Sequence, residues 1–219
     1  MIFGLTGGIA SGKSLVSQML ARHGVHVVDA DLVSREVTLP DRPAYMAIVG
    51  TFGHSIIRND GTLNRKKLGQ IVFADTEARR RLEAIVLPYI KERASDRLRV
   101  ANEVFPLVCF DAPTLVENGM ADQYRPLVVV RASVETQTMR LIARDGLTLN
   151  EVNERIRSQF PTEQRVAVAD YIIDNDQGES ELLISVGKCL TWLRERATPV
   201  NQAPTAWQHL LGDTSEDEA

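Results

Sequence analysis

Near its start the chain reads Gly7-Gly8-Ile9-Ala10-Ser11-Gly12-Lys13-Ser14, which fits the pattern G-x-x-x-x-G-K-[ST]. This segment follows an apolar stretch at residues 2–6 and precedes helical periodicity at 13–23, the context in which the pattern binds phosphate. Gly7 and Gly12 allow backbone angles and close approaches that a Cβ forbids, so successive N–H groups can turn toward an anion at the positive end of the helix. A glycine-rich turn with an incidental lysine is the alternative, and the position between strand and helix argues against it. The segment therefore predicts a phosphate-binding loop.

Three side chains near the loop have predicted roles at phosphate and metal. Lys13 is expected to reach the β- and γ-phosphate oxygens, and the Ser14 hydroxyl is expected to ligate Mg²⁺. Asp111 follows the apolar segment 107–110. It either holds Mg²⁺, as the strand-end aspartate of a Walker B arrangement does, or forms the turn before Ala112-Pro113. The sequence leaves these two roles of Asp111 open.

The rest of the chain alternates between two kinds of segment. Short stretches rich in β-branched residues predict strands buried on both faces of a parallel sheet: 2–6, 25–28, 107–110, 127–130 and 171–173. Helical periodicity lies at 13–23, 76–86, 88–102, 134–144, 148–160 and 179–196, with Pro88 in a first helical turn. This alternation predicts an α/β fold with a doubly wound parallel sheet. Residues about 35–104 and about 134–168 add helix without strand, and they are predicted to form a substrate-binding lobe and a lid.

The composition is that of an ordinary globular chain. Of 219 residues, 44% are hydrophobic and 25% are charged, which suits one domain over residues 1–196. No apolar run approaches the roughly 20 residues of a membrane span, and no targeting segment is visible at the start, so a soluble, cytoplasmic protein without a membrane partner is expected. Cys109 and Cys189 are expected to be buried thiols.

The charge is unevenly distributed. The net charge is −4, and four acids lie in the last seven residues, so residues 1–212 are electrically balanced. A balanced body carries no general electrostatic signal for nucleic acid, and none is expected as a partner. Residues 197–219 are predicted to form an acidic, flexible tail.

Two carboxylates follow the second predicted strand, in the segment Val28-Asp29-Ala30-Asp31. In a doubly wound sheet this strand end lies beside the phosphate loop, so the carboxylates can meet the γ-phosphate, its metal or an attacking hydroxyl. An aspartate at this point can also cap the next helix. We expect one of the two to cap and the other to act, with Asp31 as the residue that does the chemistry.

Arginines on the predicted lid are candidates for stabilising the transition state. Arg140 and Arg144 lie four residues apart on one helical face, and Arg155 and Arg157 follow on the next helix. A lid that delivered such cations would exclude water and favour transfer to an alcohol over hydrolysis. An ordinary solvated helix face is the alternative.

Taken in order, these motifs resemble the dephospho-CoA kinase family over roughly residues 2–176. The series is far more specific than the loop alone. It comprises Leu5-Thr6 with the loop, Val28-Asp29-Ala30-Asp31 with Arg35, Asp60-Gly61-Thr62-Leu63, Val72-Phe73, Leu82-Glu83-Ala84-Ile85, Pro113 with Leu115 and Glu117, Arg140-Leu141, Arg144, Arg155, Gln159 and Ala169-Asp170-Tyr171-Ile172-Ile173-Asp174-Asn175.

The resemblance implies a P-loop kinase core with a helical CoA-binding lobe and a lid. It implies transfer of the γ-phosphate of ATP to the ribose 3′-hydroxyl of dephospho-CoA, giving CoA and ADP, with Asp31, Lys13 and Arg140 as catalytic residues. ATP would bind to Gly7, Gly8, Ile9, Ala10, Ser11, Gly12, Lys13, Ser14, Leu15, Arg140, Arg144 and Asn175. Dephospho-CoA would bind to Thr6, Asp31, Arg35 and Phe73.

Three positions depart from the family pattern. Leu15 replaces a common Thr, Asn64 replaces a common Asp, and Leu87 stands where a His normally precedes the Pro. A role for that His is therefore not carried over. Two other functions compete with this one: a P-loop kinase for a nucleoside or nucleotide, and a nucleotide-dependent switch. A GTP-dependent switch would need a guanine-reading Asn-Lys-x-Asp, which the sequence lacks.

Overall fold

The computed structural model describes residues 1–197, so the predicted tail lies outside the described residues except for Ala197. The strands are β1 (Ile2–Gly7), β2 (His26–Asp29), β3 (Val108–Asp111), β4 (Leu127–Arg131) and β5 (Tyr171–Asp174). The helices are α1 (Lys13–Arg22), α2 (Ala30–Val37), α3 (Pro43–Phe52), α4 (Arg65–Ala74), α5 (Thr76–Val104), α6 (Val134–Asp145), α7 (Leu149–Arg157), α8 (Thr162–Ala167) and α9 (Glu179–Arg196). Two 3₁₀ turns lie at His54–Ile56 and Ala121–Tyr124. No helix within residues 1–197 is both long and apolar enough to cross a membrane.

The five strands form one parallel sheet in the order β2-β3-β1-β4-β5. The chain leaves central β1 for β2 and β3 on one side, then crosses to β4 and β5 on the other. Ligands bind at such a switch point, outside the carboxyl ends of the strands. The phosphate loop follows β1 at this point. In the ladder Leu5 and Asp29 both pair with Asp111, which brings the carboxyl ends of β1, β2 and β3 together. The predicted doubly wound sheet is confirmed.

Helices cover both faces of the sheet. On one face Phe3 packs with Leu20 of α1 and Leu190 of α9. On the other face Val129 packs with Leu98 of α5. All five side chains are almost fully buried. Because β1, β3 and β4 bury side chains on both faces, their sequences are continuous apolar runs without alternation.

A separate apolar cluster lies in the helical insertion between β2 and β3. It contains Tyr45 and Ile48 of α3, Ile56, Leu63, and Leu68 of α4. The Tyr45 hydroxyl donates to the carbonyl oxygen of Gly61 at 2.6 Å, which ties α3 to the turn before α4. The insertion therefore has a core of its own beside the sheet. Its use as an acceptor lobe stays a prediction.

One helix prediction was wrong. Residues 76–86 and 88–102 do not form two helices, because α5 runs unbroken from Thr76 to Val104 with Pro88 inside it. Proline has no N–H to donate and crowds the carbonyl four residues earlier, at a cost of about 3 kcal/mol in a helix interior. α5 packs against α2, α3, α4, β2 and β3, and this tertiary packing outweighs the local cost. α7 is also shorter than predicted and ends at Arg157, four residues before Pro161.

Pro88→Ala should raise the free energy of unfolding by about 1–3 kcal/mol, because alanine restores a donor to the Ala84 carbonyl and removes the ring clash. Urea denaturation followed by circular dichroism measures the change. Leu87→Ala is the matched control: its side chain is 42% exposed, and a change within about 0.5 kcal/mol is expected. If Pro88→Ala is no more stable than this control, the packing of α5 requires the proline.

Candidate active site

The phosphate loop has the geometry of an anion-binding nest. Gly7 is buried, and a Cβ there would lie 2.6 Å from the Val130 carbonyl oxygen. Gly12 has φ +89° and lies against the Asn175 side chain, so it needs both the angle and the space of glycine. The N–H groups of Gly12, Lys13 and Ser14 have no acceptor within residues 1–197. These donors, at the start of α1, are therefore free to bind an anion.

Side chains from other elements hold the carbonyl groups of the loop. Arg140 of α6 donates to the carbonyl oxygens of Ala10 at 3.2 Å, Ser11 at 3.3 Å and Asn175 at 2.8 Å. The buried Asn175 side chain donates to the Ser11 oxygen at 2.7 Å. These bonds satisfy the loop's acceptors from the side of α6 and β5. The loop is thereby fixed with its N–H groups toward the cavity.

Lys13 forms an ion pair with Asp111. Asp111 is only 3% exposed, and burial raises the pKa of its carboxyl group, while the neighbouring Lys13 opposes part of that rise. The position of Asp111 at the end of β3 is the one expected of a Walker B aspartate. Its carboxylate is bound to the lysine of the phosphate loop, so a role as metal ligand stays a prediction.

The two aspartates after β2 divide their roles. Asp29 accepts hydrogen bonds from the N–H groups of Asp31 at 2.7 Å and Leu32 at 3.1 Å, so it is the N-cap of α2. Asp31 is exposed and lines a cavity of about 770 Å³ together with Lys13 and Ser14. One aspartate therefore caps, as predicted, and the other faces the loop across the cavity.

The two predicted lid arginines differ in environment. Arg140 is tied to the loop, whereas Arg144 is exposed and donates to Asp145 at 2.8 and 2.9 Å. These bonds raise the pKa of Arg144 and lower the pKa of Asp145. Arg155 of α7 also contacts Asp145 at 3.4 Å. Both Arg140 and Arg144 line the cavity.

Four other predicted site residues do not line this cavity. Thr6 is fully buried and donates to the Pro113 carbonyl oxygen at 3.0 Å. Leu15 packs against the sheet core. Arg35 is on α2, one turn after Asp31, and Phe73 of α4 is 91% exposed. The structure brings the loop, Asp31 and the lid arginines together, and it places Arg35 and Phe73 on the helical insertion.

Sequence reasoning assigned no role to four polar residues near the loop. Gln159 accepts from the Ile9 N–H at 2.8 Å, and a Cβ on Gly8 would lie 3.1 Å from the Gln137 amide nitrogen. Glu117 and Arg165 form an ion pair at the same place. Gln159 and Glu117 stood in the motif series without a function. Arg165 carried no local signal, because a charged residue on a short helix is ordinarily exposed.

The oxygen atoms beside the loop suit a hard cation. The Ser14 hydroxyl and the Asp31 carboxylate line the same cavity, and Mg²⁺ is commonly held by one or two protein oxygens together with phosphate oxygens. No group of three or more His, Cys, Asp and Glu side chains in residues 1–197 is arranged to hold a metal. A cation at this place would therefore need phosphate oxygens to complete its coordination.

A model of the dephospho-CoA kinase family matches residues 1–181. The chain belongs to the dephospho-CoA kinase family. A dephospho-CoA kinase of Thermobifida fusca is 46% identical over 193 residues, which cover 88% of this chain and 96% of the relative. The crystal structure of TT1252 from Thermus thermophilus superposes with a TM-score of 0.75 at 29% identity and covers 88% of this chain and 96% of its own. The dephospho-CoA kinase from Campylobacter jejuni shares the fold, with a TM-score of 0.67 at 23% identity over 90% of this chain and 98% of its own.

Membership of the dephospho-CoA kinase family confirms the resemblance read from the ordered motifs. As a member of this family the chain is an ATP-dependent kinase. The competing functions, another small-molecule kinase and a nucleotide switch, are not favoured.

Lys13→Ala should make stability more sensitive to pH. Burial raises the pKa of Asp111 in the folded state. Between its ordinary and its raised pKa, Asp111 therefore holds a proton more readily in the folded state than in the unfolded chain. The free energy of unfolding falls as the pH rises through that window. Without Lys13 the pKa rises further and the window extends toward neutral pH. Urea unfolding should therefore show a larger loss of stability at about pH 7.5 than at about pH 4.5. The double variant Lys13→Ala/Asp111→Asn should lose this difference, and an equal loss at both pH values in Lys13→Ala alone would contradict the prediction.

Proposed function

We propose that this chain transfers the γ-phosphate of ATP to the ribose 3′-hydroxyl of dephospho-CoA. One observation carries the proposal: the N–H groups of the phosphate loop that have no acceptor within residues 1–197, the loop lysine and the Asp31 carboxylate meet in one cavity of about 770 Å³. The family relationship names the reaction. The cavity wall carries groups for both reactants. The loop would bind the phosphates, and Asp31 would act on the hydroxyl.

Residues 7–15 would hold the phosphates of ATP. The free N–H groups of Gly12, Lys13 and Ser14 would donate to phosphate oxygens, and Lys13 would turn from Asp111 to the β- and γ-phosphates. Ser14 would hold Mg²⁺ together with phosphate oxygens, and Asp111 becomes a further candidate ligand once Lys13 has turned away. Mg²⁺ supplies neutralisation of the phosphate charge when it is bound.

Asp31 would act on the acceptor. Its carboxylate is exposed to the cavity and is not used as the helix cap, since Asp29 has that role. In the reaction the proton of the 3′-hydroxyl moves to Asp31, the hydroxyl oxygen forms a bond to the γ-phosphorus, and the bond from that phosphorus to its bridging oxygen breaks to leave ADP. If Asp31 instead only orients the hydroxyl, Asp31→Asn should keep part of the rate, because an amide oxygen can accept the hydrogen bond but cannot take the proton.

The helical insertion would receive dephospho-CoA through a cluster of arginines. Arg65 donates to Thr38 at 2.6 Å, and burial lowers the pKa of Arg65 together with the nearby charges of Arg35 and Arg58. None of the three arginines has a carboxylate within 4.0 Å in residues 1–197. A group of like charges is stabilised by an anion, and dephospho-CoA carries a diphosphate. Phe73 adds an exposed aromatic ring on the same insertion for an apolar part of the acceptor.

The lid would be formed by residues about 134–168 and would close over ATP. Arg140 already lies at the loop, Arg144 at the cavity wall, and Asn175 behind Ser11. Closure would exclude water and so favour the alcohol as acceptor. We place this reaction in the cytoplasm, with ATP and dephospho-CoA as small-molecule partners and no nucleic acid.

The purified protein should convert dephospho-CoA and Mg·ATP to ADP and a product heavier by one phosphate at the 3′ position, measured by a coupled ADP assay and mass spectrometry. Adenosine and simple nucleosides should give no comparable turnover. Binding of ATP by the unaltered protein without phosphorylation of dephospho-CoA would move the proposal to another acceptor, with Leu87 the first position to examine.

Lys13→Ala should lower kcat by about 10³-fold with an unchanged circular dichroism spectrum, because it removes the cation at the transferred phosphoryl group.

Asp31→Asn should lower kcat by about 10²-fold or more and change the Kd for ATP by less than about threefold, since its role is at the hydroxyl. Single-turnover kinetics and isothermal titration calorimetry measure the two quantities. Asp29→Asn is the matched control two residues away: asparagine is an equally good N-cap, so near-normal turnover is expected. Loss of ATP affinity with an unchanged rate of transfer would instead make Asp31 a metal or structural residue.

A further inference from the structure

An ion pair between distant segments lies beside Gly8 of the phosphate loop and lines the same cavity. Arg165 of α8 is only 3% exposed and pairs with Glu117, in the segment after β3. The same guanidinium donates to the Phe160 carbonyl oxygen at 2.8 Å. It also packs against the loop, because a Cβ on Gly8 would lie 3.4 Å from Arg165 Nη1. The planar guanidinium thus holds a carboxylate and a backbone carbonyl in fixed directions.

The backbone held by Arg165 carries the contact to the loop. Gln159 precedes Phe160 in the chain, and its side-chain oxygen accepts the hydrogen bond of the Ile9 N–H at 2.8 Å. The Gln159 residue is itself exposed. The Phe160 carbonyl that Arg165 binds lies one residue beyond Gln159 in the chain. The chain of contacts therefore runs from Glu117 through Arg165 and Gln159 to Ile9.

The energetics of the pair argue for a geometric role. The Arg165 side chain is 3% exposed and the Glu117 side chain 20% exposed, and desolvation of such charges can exceed their Coulomb attraction unless further hydrogen bonds satisfy the remaining atoms. Here Glu117 Oε2 and Arg165 Nε have no hydrogen-bond partner in the described part of the chain. A pair satisfied only in part contributes little net stability. What it does supply is a fixed direction for the groups that it joins.

We propose that Glu117 and Arg165 are positioning residues of the phosphoryl transfer, and that they hold the phosphate loop in its ATP-binding shape through Gln159. The proposal rests on the proposed function, since it assigns these residues to the ATP half of that reaction. Loss of the ion pair releases Gln159 from Ile9. The loop then loses conformational entropy when the phosphates bind. The affinity for ATP falls as a result, while the affinity for dephospho-CoA does not change.

The test measures ATP binding by isothermal titration calorimetry and both KM values by steady-state kinetics. Arg165→Met and Gln159→Ala should each raise the Kd and KM for ATP by about three- to tenfold, the size expected for one hydrogen bond, and leave the KM for dephospho-CoA within about twofold. The double variant should resemble the single variants, because both changes break the same chain of contacts. Arg165→Lys should be intermediate, since lysine keeps the charge but not the planar fork.

Arg125→Met is the matched control. Arg125 also joins a carboxylate, Asp170 at 2.8 Å, to a carbonyl at the other end of α8, Val168 at 3.0 Å. It makes no contact with the phosphate loop among the bonds of residues 1–197. This variant should lower the melting temperature and leave the Kd for ATP unchanged.

Three outcomes would overturn the proposal: an ATP Kd for Arg165→Met no higher than for Arg125→Met, effects of Arg165→Met and Gln159→Ala that multiply in the double variant, or an equal rise in both KM values. If Arg165→Met does not fold, Glu117→Gln replaces it, because glutamine keeps the shape and removes only the charge. The calorimetric result does not depend on the acceptor. Failure of dephospho-CoA phosphorylation in the unaltered protein would therefore count against the proposed function alone.

Discussion

The phosphate loop can offer free N–H groups to an anion only because other segments hold the rest of its backbone. Arg140 and Asn175 donate hydrogen bonds to the carbonyl oxygen of Ser11, and the Gln159 side chain accepts one from the N–H of Ile9. These three side chains come from α6, from the end of β5 and from the segment after α7. The eight-residue motif thus depends on the order of the sheet, in which β4 lies next to β1 and β5 lies next to β4.

The same dependence governs the charges at the loop. Lys13 stands at the start of α1 and finds a partner in Asp111, because the ladder places the end of β3 next to β1. Burial raises the pKa of that carboxyl group, so the lysine is what favours its ionised form. A bound phosphate would compete with the carboxylate for one ammonium group. With phosphate bound as proposed, Lys13 would favour the ionised form of Asp111 less.

Local sequence patterns predicted the strands, the loop and the helices α1, α6, α7 and α9, because these features depend on neighbouring residues, whereas α2, α3, α4 and α8 lie in regions predicted only as helical. The helix α5 was predicted as two, since the local effect of Pro88 is visible in the sequence and the packing that overrides it is not. The sequence predicted that one of the aspartates after β2 would cap, and only the backbone of α2 assigns that role to Asp29. Arg165 and Glu117 are 48 residues apart, so no pattern within one segment could pair them.

The lid arginines show why spacing alone does not assign electrostatic roles. Arg140 and Arg144 occupy equivalent positions one turn apart, yet the first is fixed by three backbone carbonyls and the second shares Asp145 with Arg155. A fixed guanidinium presents its charge to the phosphates without reorganising, which is the condition for strong electrostatic stabilisation of a transition state. An exposed one must first leave its carboxylate. We therefore propose Arg140 as the main catalytic cation of this pair, and Arg144 as one that would contribute to the extent that closure of the proposed lid separates it from Asp145.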